Sequence, residues 1–223
     1  MTRKTGGSEG AAACGRLRER LALYLVTDDR PDGEDLLRTV RMALEGGVTA
    51  VQLRRKRDDG GRFVRIGLAV RELTRAFGAL YIVNDRVDVA VLTDADGVHV
   101  GQSDISCPDA RKLMGGRIVG VSARTPEEAL AAVRGSADYL GVGAVFPTAS
   151  KPDADMCRLD GLALVARCAG IPVVGIGGIH AGNAEQVVRA GADGIAVVSA
   201  VMQAGDPQQA SARLRALVAA CRT

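Results

Sequence analysis

Tryptophan is absent from this sequence of 223 residues, and aromatic side chains make up only 3% of it. Proteins that bind single-stranded nucleic acid stack bases on aromatic side chains, so this scarcity argues against that class. The formal net charge of +3 is also small for a nucleic-acid binder. A core with so few aromatic residues must be built from Val, Leu, Ile and Ala, which is typical of parallel sheets buried on both faces.

Cysteine motifs and long apolar runs are missing as well. The five cysteines are odd in number and contain no C-x-x-C spacing, which predicts free thiols in a reducing cytosol. No apolar stretch is long enough to span a bilayer, so we expect a cytoplasmic protein with no membrane partner. Residues 1–20 lack an apolar secretory stretch and a periodic face, and they predict a flexible tail, with an organellar transit peptide as the alternative.

Short apolar runs alternate with helix-like periods from residue 21 onwards. The first run, Leu21 to Thr27, is continuous and is followed by acidic residues and a proline, as expected for a buried strand. No G-x-G-x-x-G follows it, which removes the main argument for a dinucleotide-binding fold. Eight strand–helix units in a chain of this length predict an α/β fold, a single (β/α)8 TIM barrel over residues 21–223. The fragments D-A-D-G at 94 and G-A-D-G at 191 are similar but too short to define an internal repeat.

Two carboxylates follow neighbouring strands of the predicted barrel. Asp85 comes just after the run Leu80 to Val83, and Asp104 follows the run Gly97 to Val100. Functional groups of such barrels lie at the carboxyl ends of the strands, and paired carboxylates there suit a hard cation such as Mg²⁺. Each residue taken alone also has a structural explanation, with Asp85 as a helix cap and Asp104 as a turn residue.

A basic run ends the second predicted strand. Gln52, Arg54 and Lys56 alternate with Leu53 and Arg55, so the first three share one face. An amide, a guanidinium and an ammonium group converging at a strand end suit an oxygen-rich anion such as diphosphate. The alternative is a solvated basic turn neutralised by the two aspartates that follow it. The nearby carboxylate pair favours a site for a Mg²⁺–diphosphate complex.

The loops after the last three strands supply hydroxyls, an ammonium group and glycines. In TIM barrels the loops after strands seven and eight are the usual phosphate site, where backbone N–H groups act as donors. The residues concerned are Thr148, Ser150 and Lys151 after the sixth strand, Gly177 and Gly178 after the seventh, and Val198 and Ser199 after the eighth. A surface loop is the alternative for the first of these segments.

The two histidines do not form part of a Ser-His-Asp or Cys-His arrangement. His99 lies between two valines in a strand, so we expect a hydrogen-bonded interior residue rather than a base. His180 follows the glycine loop and is expected to be solvated.

In order and spacing, these segments resemble the thiamine phosphate synthase family over roughly residues 21–205. The matching motifs are L-Y-L-V-T-D ending at Asp28, Q-x-R-x-K ending at Lys56, N-D-R at Asn84, G-V-H-V-G-Q-x-D ending at Asp104, G-V-S ending at Ser122, F-P-T-x-S-K ending at Lys151, G-I-G-G-I around Gly178, and G-A-D-G-I-x-V-V-S ending at Ser199.

The resemblance implies a transferase of thiamine biosynthesis that condenses 4-amino-2-methyl-5-(diphosphooxymethyl)pyrimidine with 4-methyl-5-(2-phosphoethyl)thiazole, or its carboxylated form. Diphosphate would leave through a Mg²⁺-assisted pyrimidine carbocation, with Asp85 and Asp104 as the Mg²⁺ ligands. The implied catalytic residues are Arg54, Lys56, Ser122 and Lys151. The implied pyrimidine diphosphate contacts are Gln52, Arg54, Lys56, Asn84, Ser122 and Lys151, and the implied thiazole phosphate contacts are Thr148, Ala149, Ser150, Gly178, Val198 and Ser199.

Three positions depart from the family pattern. Arg55 stands where Glu is frequent, and because it is predicted to point away from the pocket we expect little effect. Ser150 replaces a common Thr and keeps the hydroxyl. Arg124 stands where many relatives have His, and the related thiazole tautomerases, the nearest alternative, depend on a His in this segment.

An inactive phosphate-ligand sensor and a phosphate-binding barrel isomerase are the remaining alternatives. The first would lack Asp85, Asp104 or Lys151, and the second would need an acid–base pair at strand ends. The sequence leaves open whether the protein is a homo-oligomer, whether the thiazole substrate is carboxylated, and the conformation of residues 143–160.

Overall fold

Eight parallel strands close into a barrel in chain order, with the first strand paired to the last. The structure is a computed structural model and describes residues 6–148 and 156–222. The strands are β1 Leu23–Val26, β2 Ala50–Leu53, β3 Leu80–Asn84, β4 Gly97–Val100, β5 Ile118–Ala123, β6 Tyr139–Val142, β7 Val173–Ile176 and β8 Gly194–Val197. The helices of the described residues are α1 Gly6–Arg20, α2 Gly33–Glu45, α3 Gly60–Ala76, α4 Val87–Leu92, α5 Cys107–Met114, α6 Pro126–Arg134, α7 Arg158–Ala169, α8 Ala184–Arg189, α9 Ser199–Met202 and α10 Pro207–Ala220. The predicted TIM barrel is confirmed.

The strands divide their side chains between two cores, as period-two alternation requires. Leu23 and Leu25 of β1 pack in the larger cluster between the barrel and its helices, whereas Tyr24 and Val26 pack in a smaller cluster inside the barrel. The same alternation directs Gln52 of β2 inward, where its side chain bonds to Tyr24. The interior of the barrel near the carboxyl ends of its strands is therefore lined partly by polar groups.

Helix α1 occupies a segment for which the sequence predicted a flexible tail, and the structure corrects that expectation. Leu17 packs against the interior cluster, and Nε of Arg18 lies 2.9 Å from Oδ1 of Asp193. These contacts join the end of the helix to a residue 175 positions away in the chain. Local periodicity carries no signal for such long-range contacts, which is why the segment looked featureless.

Side-chain caps fix the starts of several helices. Asp32 accepts a hydrogen bond from the amide of Glu34 at the start of α2, and Thr125 accepts one from Glu128 at the start of α6. A cap of this type contributes about 1 kcal/mol to helix stability. The sequence predicts both starts, the first from the run Asp32 to Asp35 and the second from Thr125-Pro126-Glu127-Glu128, with Thr as the N-cap residue and Pro as the first helical residue. It does not predict the single turn of α9.

The residue just before each even-numbered strand hydrogen-bonds to the odd-numbered strand that precedes it in the chain. Its side-chain oxygen accepts from a backbone N–H near the start of that strand. The four pairs are Thr49 with Leu23 at 3.0 Å, Asp96 with Tyr81 at 2.8 Å, Asp138 with Val119 at 2.7 Å, and Asp193 with Val173 at 2.8 Å. The three aspartates also pair with arginines, namely Arg71, Arg111 and Arg18. The amino-terminal end of the barrel is thus held by a repeated set of bonds.

All five cysteines are free thiols, as predicted. Burial raises the pKa of the Cys107 and Cys157 thiols, which favours their protonated form. Over the described parts of the chain, no helix combines the length and the apolar composition that crossing a membrane requires.

Candidate active site

Asp85 follows β3 at the carboxyl end of the barrel. Its backbone is left-handed, with φ of 61°, and its amide donates to the carbonyl oxygen of His99 at 2.8 Å. Left-handed backbone is uncommon outside glycine, although Asp tolerates it better than most residues. Arg86 is the N-cap residue of α4 and no side chain caps that helix, so the structural explanation of Asp85 as a helix cap is wrong. Its Oδ2 instead lies 2.5 Å from Nζ of Lys56.

Asp104 lies in an exposed turn after β4. Its Oδ2 accepts from the amide of Gly101 at 2.8 Å, so the turn explanation is correct but incomplete. Burial raises the pKa of Asp85, the hydrogen bond from Lys56 opposes that rise, and contact with the Asp104 carboxyl adds to it. Two carboxyl groups therefore meet at this end of the barrel, and the ammonium group of Lys56 binds one of them.

The carboxylate pair has the composition of a partial Mg²⁺ site. Within the described residues, no group of three or more His, Cys, Asp and Glu side chains is arranged to hold a metal ion. Mg²⁺ is commonly bound by one or two carboxylates, with water and substrate phosphate oxygens completing its octahedron. The raised pKa of Asp85 fits such an ion, because a divalent cation would relieve the repulsion between the two carboxylates.

The basic run after β2 is held by an aspartate that is not among the predicted site residues. Asp29, in the loop after β1, accepts from the amide of Lys56 at 2.8 Å and lies 3.6 Å from Nη1 of Arg54. It therefore fixes the backbone of Lys56 and lies beside the guanidinium of Arg54. The acidic pair that closes the first strand was the available signal, because loops that follow adjacent strands lie side by side.

Arg55 does not join this group. Its buried guanidinium donates to both carboxylate oxygens of Asp58, at 2.7 and 3.0 Å, and to the carbonyl oxygen of Arg30 at 2.7 Å. The side chain thus ties the loop after β2 to the loop after β1. That the Arg at this position has little effect on function stays a prediction.

His99 is a hydrogen-bonded interior residue, as predicted. Its Nδ1 lies 2.9 Å from the hydroxyl of Tyr139, and its Nε2 lies 3.0 Å from Oγ of Ser122. Burial lowers the pKa of His99 to about 4, against a smaller opposing effect of Asp104. Asn84 pairs in register with His99 at the ends of β3 and β4. Tyr139 is not among the predicted site residues, but the imidazole of His99 links it to Ser122, which is.

The glycine pair after β7 makes room for the loop after β6. Gly177 and Gly178 have φ of 102° and 63°, a region that favours glycine. A Cβ atom on Gly178 would lie 2.4 Å from the carbonyl oxygen of Pro147. The amide of Phe146 donates to the carbonyl of Gly177 at 3.1 Å, so the two loops are bonded together.

Most of the predicted site residues lie at or just beyond the carboxyl ends of the strands. They are Gln52, Arg54 and Lys56 at β2, Asn84 and Asp85 at β3, Asp104 after β4, Ser122 at β5, Thr148 after β6, Gly178 after β7, and Val198 and Ser199 after β8. Ala149, Ser150 and Lys151 lie outside the described residues. His180 is exposed, as expected, and its ring accepts from the amide of Gly182. The fold is that of a TIM barrel, and this polar end is the candidate active site, at the carboxyl ends of the strands.

Comparison with known proteins identifies the family. The family model described as thiamine monophosphate synthase matches residues 23–201. The thiamine-phosphate synthase of Chloroflexus aurantiacus is 51% identical over 198 residues, covering 88% of this chain and 92% of that protein. That of Moorella thermoacetica is 50% identical over 203 residues, covering 90% and 97%. The chain belongs to the thiamine monophosphate synthase family, whose members are transferases.

Solved structures agree with this assignment. Thiamine phosphate pyrophosphorylase from Pyrococcus furiosus superimposes with a TM-score of 0.86 at 44% identity, covering 93% of this chain and 100% of that one. A 3-hexulose-6-phosphate synthase matches with a TM-score of 0.67 at 20% identity, covering 87% and 98%, which shows a shared fold only.

Proposed function

We propose that the protein joins 4-amino-2-methyl-5-(diphosphooxymethyl)pyrimidine to 4-methyl-5-(2-phosphoethyl)thiazole, or its carboxylated form, to give thiamine phosphate and diphosphate. The observation that carries the proposal is the meeting of Lys56, Asp85 and Asp104 at one end of the barrel, beside the polar interior. Family membership supports the same chemistry. We further propose that the enzyme works in the cytoplasm, since its thiols are free.

The difficult step is the departure of diphosphate from the pyrimidine methylene carbon. The C–O bond breaks and the leaving oxygen takes the electron pair, so negative charge grows on the diphosphate. Arg54 and Lys56 supply positive charge where that anion would lie, and Lys151 is proposed to add a third cation. Fixed groups that meet developing charge are the largest common source of rate acceleration, and removing one typically costs about 100-fold or more in turnover.

The pyrimidine carbocation left behind is proposed to be stabilised by its ring amino group. The thiazole nitrogen then donates its lone pair to the methylene carbon, forming the C–N bond and the thiazolium charge. No proton leaves the nitrogen in that step, so no general base is needed. This agrees with a His99 that is hydrogen-bonded on both ring nitrogens. Gln52, Asn84 and Ser122 are proposed to hold the pyrimidine.

We propose that Asp85 and Asp104 hold a Mg²⁺ ion, which when bound neutralises diphosphate oxygens. Lys56 would then turn from Asp85 towards the same diphosphate, because the cation would take over its carboxylate partner. Thr148, Ala149, Ser150, Gly178, Val198 and Ser199 are proposed to bind the thiazole phosphate through hydroxyls and backbone N–H groups.

Purified protein should convert the two substrates and Mg²⁺ into equal amounts of thiamine phosphate and diphosphate. Omission of either substrate, or chelation of the metal with EDTA, should abolish both products, and added Mg²⁺ should restore them. Absence of product with fresh substrates would refute the proposed reaction. Full activity in EDTA would refute the metal while leaving the reaction standing.

The same assay separates this function from the alternatives. A thiazole tautomerase would isomerise the carboxylated thiazole phosphate without pyrimidine diphosphate. Arg124, which stands in the segment where tautomerases depend on His, pairs with Glu128 of α6 at 3.3 Å, which gives no support to a base there. A ligand sensor would bind the phosphates without turnover.

A further inference from the structure

Five side chains form a chain of hydrogen bonds across the interior of the barrel, here called the interior relay. Nε2 of Gln52 lies 2.9 Å from the hydroxyl of Tyr24, which lies 2.8 Å from the hydroxyl of Tyr139. That hydroxyl lies 2.9 Å from Nδ1 of His99, whose Nε2 lies 3.0 Å from Oγ of Ser122. The relay links β2, β1, β6, β4 and β5. Its two ends are groups proposed above to hold the pyrimidine.

The two tyrosine hydroxyls of the relay are closed to water, whereas His99 and Ser122 are half-buried. Tyr24 is 2% exposed and Tyr139 is fully buried, while Gln52 is 5% exposed. Buried polar groups without a partner cost about 1–3 kcal/mol each, so every proton in this segment must find an acceptor. The direction of each hydrogen bond then becomes a question of counting donors against acceptors.

Counting leaves one arrangement. Gln52 donates through Nε2, so the Tyr24 oxygen accepts, and among the described residues the Tyr24 proton has Tyr139 as its acceptor. The Tyr139 proton must then go to Nδ1 of His99, which places the imidazole proton on Nε2. An imidazole proton on Nδ1 would push the Tyr139 proton back towards Tyr24. The Tyr24 proton would then face Nε2 of Gln52, an amide nitrogen that donates hydrogen bonds and does not accept them.

The two ends of the relay are set by this direction. Gln52 uses its NH₂ group inside the relay, so its Oε1 acceptor is left for the barrel opening. Ser122 accepts from Nε2 of His99, so its own hydroxyl proton is left to be donated. An acceptor on one strand and a donor on another match the amino group and the ring nitrogen of an aminopyrimidine.

The glycines beside the relay make space for its rings. A Cβ atom on Gly120 would lie 2.2 Å from the Tyr139 ring, and one on Gly141 would lie 2.9 Å from the His99 ring. Both clashes involve rigid rings in a packed interior. The strands therefore hold Tyr139 and His99 in fixed positions, as an orienting network requires.

We propose that Tyr24, Tyr139 and His99 are positioning residues that fix the hydrogen-bond direction of Gln52 and Ser122, so that the barrel presents an amide acceptor and a hydroxyl donor to the aminopyrimidine. This inference rests on the proposed function for the identity of the ligand. The direction of the relay itself does not depend on it.

The first test reads the imidazole directly. ¹⁵N-histidine NMR of the free protein at neutral pH should show His99 with its proton on Nε2 and none on Nδ1. Tyr139→Phe removes the donor to Nδ1 and should abolish that preference. Tyr81→Phe is the matched control, since Tyr81 is equally buried but bonds to Thr93, outside the relay. A proton on Nδ1 in the unaltered protein would overturn the proposal, whether or not the protein makes thiamine phosphate.

The second test separates the two substrates. Tyr139→Phe should raise KM for the pyrimidine diphosphate about 10-fold and leave KM for the thiazole phosphate unchanged, because one hydrogen-bonded group is misdirected. Tyr81→Phe should change neither. Tyr24→Phe interrupts the same relay and replaces Tyr139→Phe if that variant does not fold. Equal changes in both KM values, or none, would overturn the positioning role. Absence of any product would instead refute the proposed function and leave the NMR result to decide the relay.

Discussion

Asp96, Asp138 and Asp193 lie at the amino-terminal end of the barrel, one residue before β4, β6 and β8, whereas Asp85 and Asp104 lie at the opposite end. Each of the first three accepts hydrogen bonds from both a backbone amide and an arginine. Asp85 instead meets a second carboxyl group, and burial raises its pKa.

The contrast shows how one fold separates stability from chemistry. Carboxylates at the amino-terminal end are satisfied within the protein, so they have little left to offer a ligand. At the carboxyl-terminal end two carboxyl groups meet, and their contact adds to the raised pKa of Asp85, so a cation or a cation bound by substrate would be favourable there.

The largest expected effect is a loss of turnover on changing the carboxylate pair at the carboxyl end of the barrel. Asp85→Asn should lower kcat about 100-fold, because a charge that supports diphosphate departure is lost. The temperature of unfolding should stay the same or rise, since the variant removes a buried charge and Asn tolerates the left-handed backbone. Asp88→Asn, on the exposed face of α4, is the control and should retain full turnover. Normal turnover in Asp85→Asn, measured as thiamine phosphate formation, would contradict the metal role.

The next largest effect is a loss of stability on changing an aspartate at the amino-terminal end of the barrel. Asp96→Ala should lower the free energy of unfolding by about 2 kcal/mol, because Arg71 and the amide of Tyr81 lose their common acceptor. The folded fraction should keep normal kcat and KM. Asp94→Asn, at an exposed neighbour with left-handed backbone, should cost much less. Urea denaturation with kinetics on the same samples tests both, and a catalytic defect in Asp96→Ala would remove the division between the two ends.

A pH series extends the comparison to the buried ion pair of Arg55 and Asp58 in the loop after β2. The hydrogen bond from Arg55 holds the pKa of Asp58 below its ordinary value of 3.8. A depressed carboxyl pKa contributes stability that is complete above the unfolded value and is lost as pH falls through the folded value. Asp58→Asn should therefore be less stable than the unaltered protein at about pH 6, and the gap should narrow at about pH 3. A gap of constant size in urea denaturation would contradict this account.

The smallest effect tests whether the position of an ion pair in the fold decides how much it contributes to the free energy of unfolding. Arg189 pairs with Glu185 on the exposed surface of α8 at 3.3 Å. Exposed pairs of this kind contribute about 0–1 kcal/mol, so Arg189→Ala should shift the free energy of unfolding by less than about 0.5 kcal/mol and leave kinetics unchanged. A larger loss of stability would mean that surface pairs hold this barrel as firmly as those at its amino-terminal end.

The features that could be predicted from the sequence are those that depend on local patterns of residues. Alternation of apolar runs and helical periods specified the barrel, and polar residues after the runs predict the candidate active end. Thr125 shows how local the signal can be, since its cap was predicted from four residues. Helix α1 was missed because Leu17 and Arg18 are held by distant parts of the chain.

The interior relay was beyond sequence reasoning for the same reason. Tyr24 and Tyr139 are 115 residues apart, and only closure of the barrel brings their hydroxyls together. Asp29 acts across two loops whose contact depends on the pairing of β1 with β2. Lys151 lies outside the described residues, so its role stays a prediction.

The hydrogen bonds before the even-numbered strands also divide the barrel into quarters. Each joins one odd strand to the next even strand, over 26, 15, 19 and 20 residues in turn. The similar fragments at 94–97 and 191–194 supply two of these bonds, through Asp96 and Asp193. Closing a short loop costs little chain entropy, so each pair of strands can form before the ring is complete. A circularly permuted chain opened between β2 and β3 would keep every quarter continuous, and one opened between β3 and β4 would divide a quarter between the two ends of the chain.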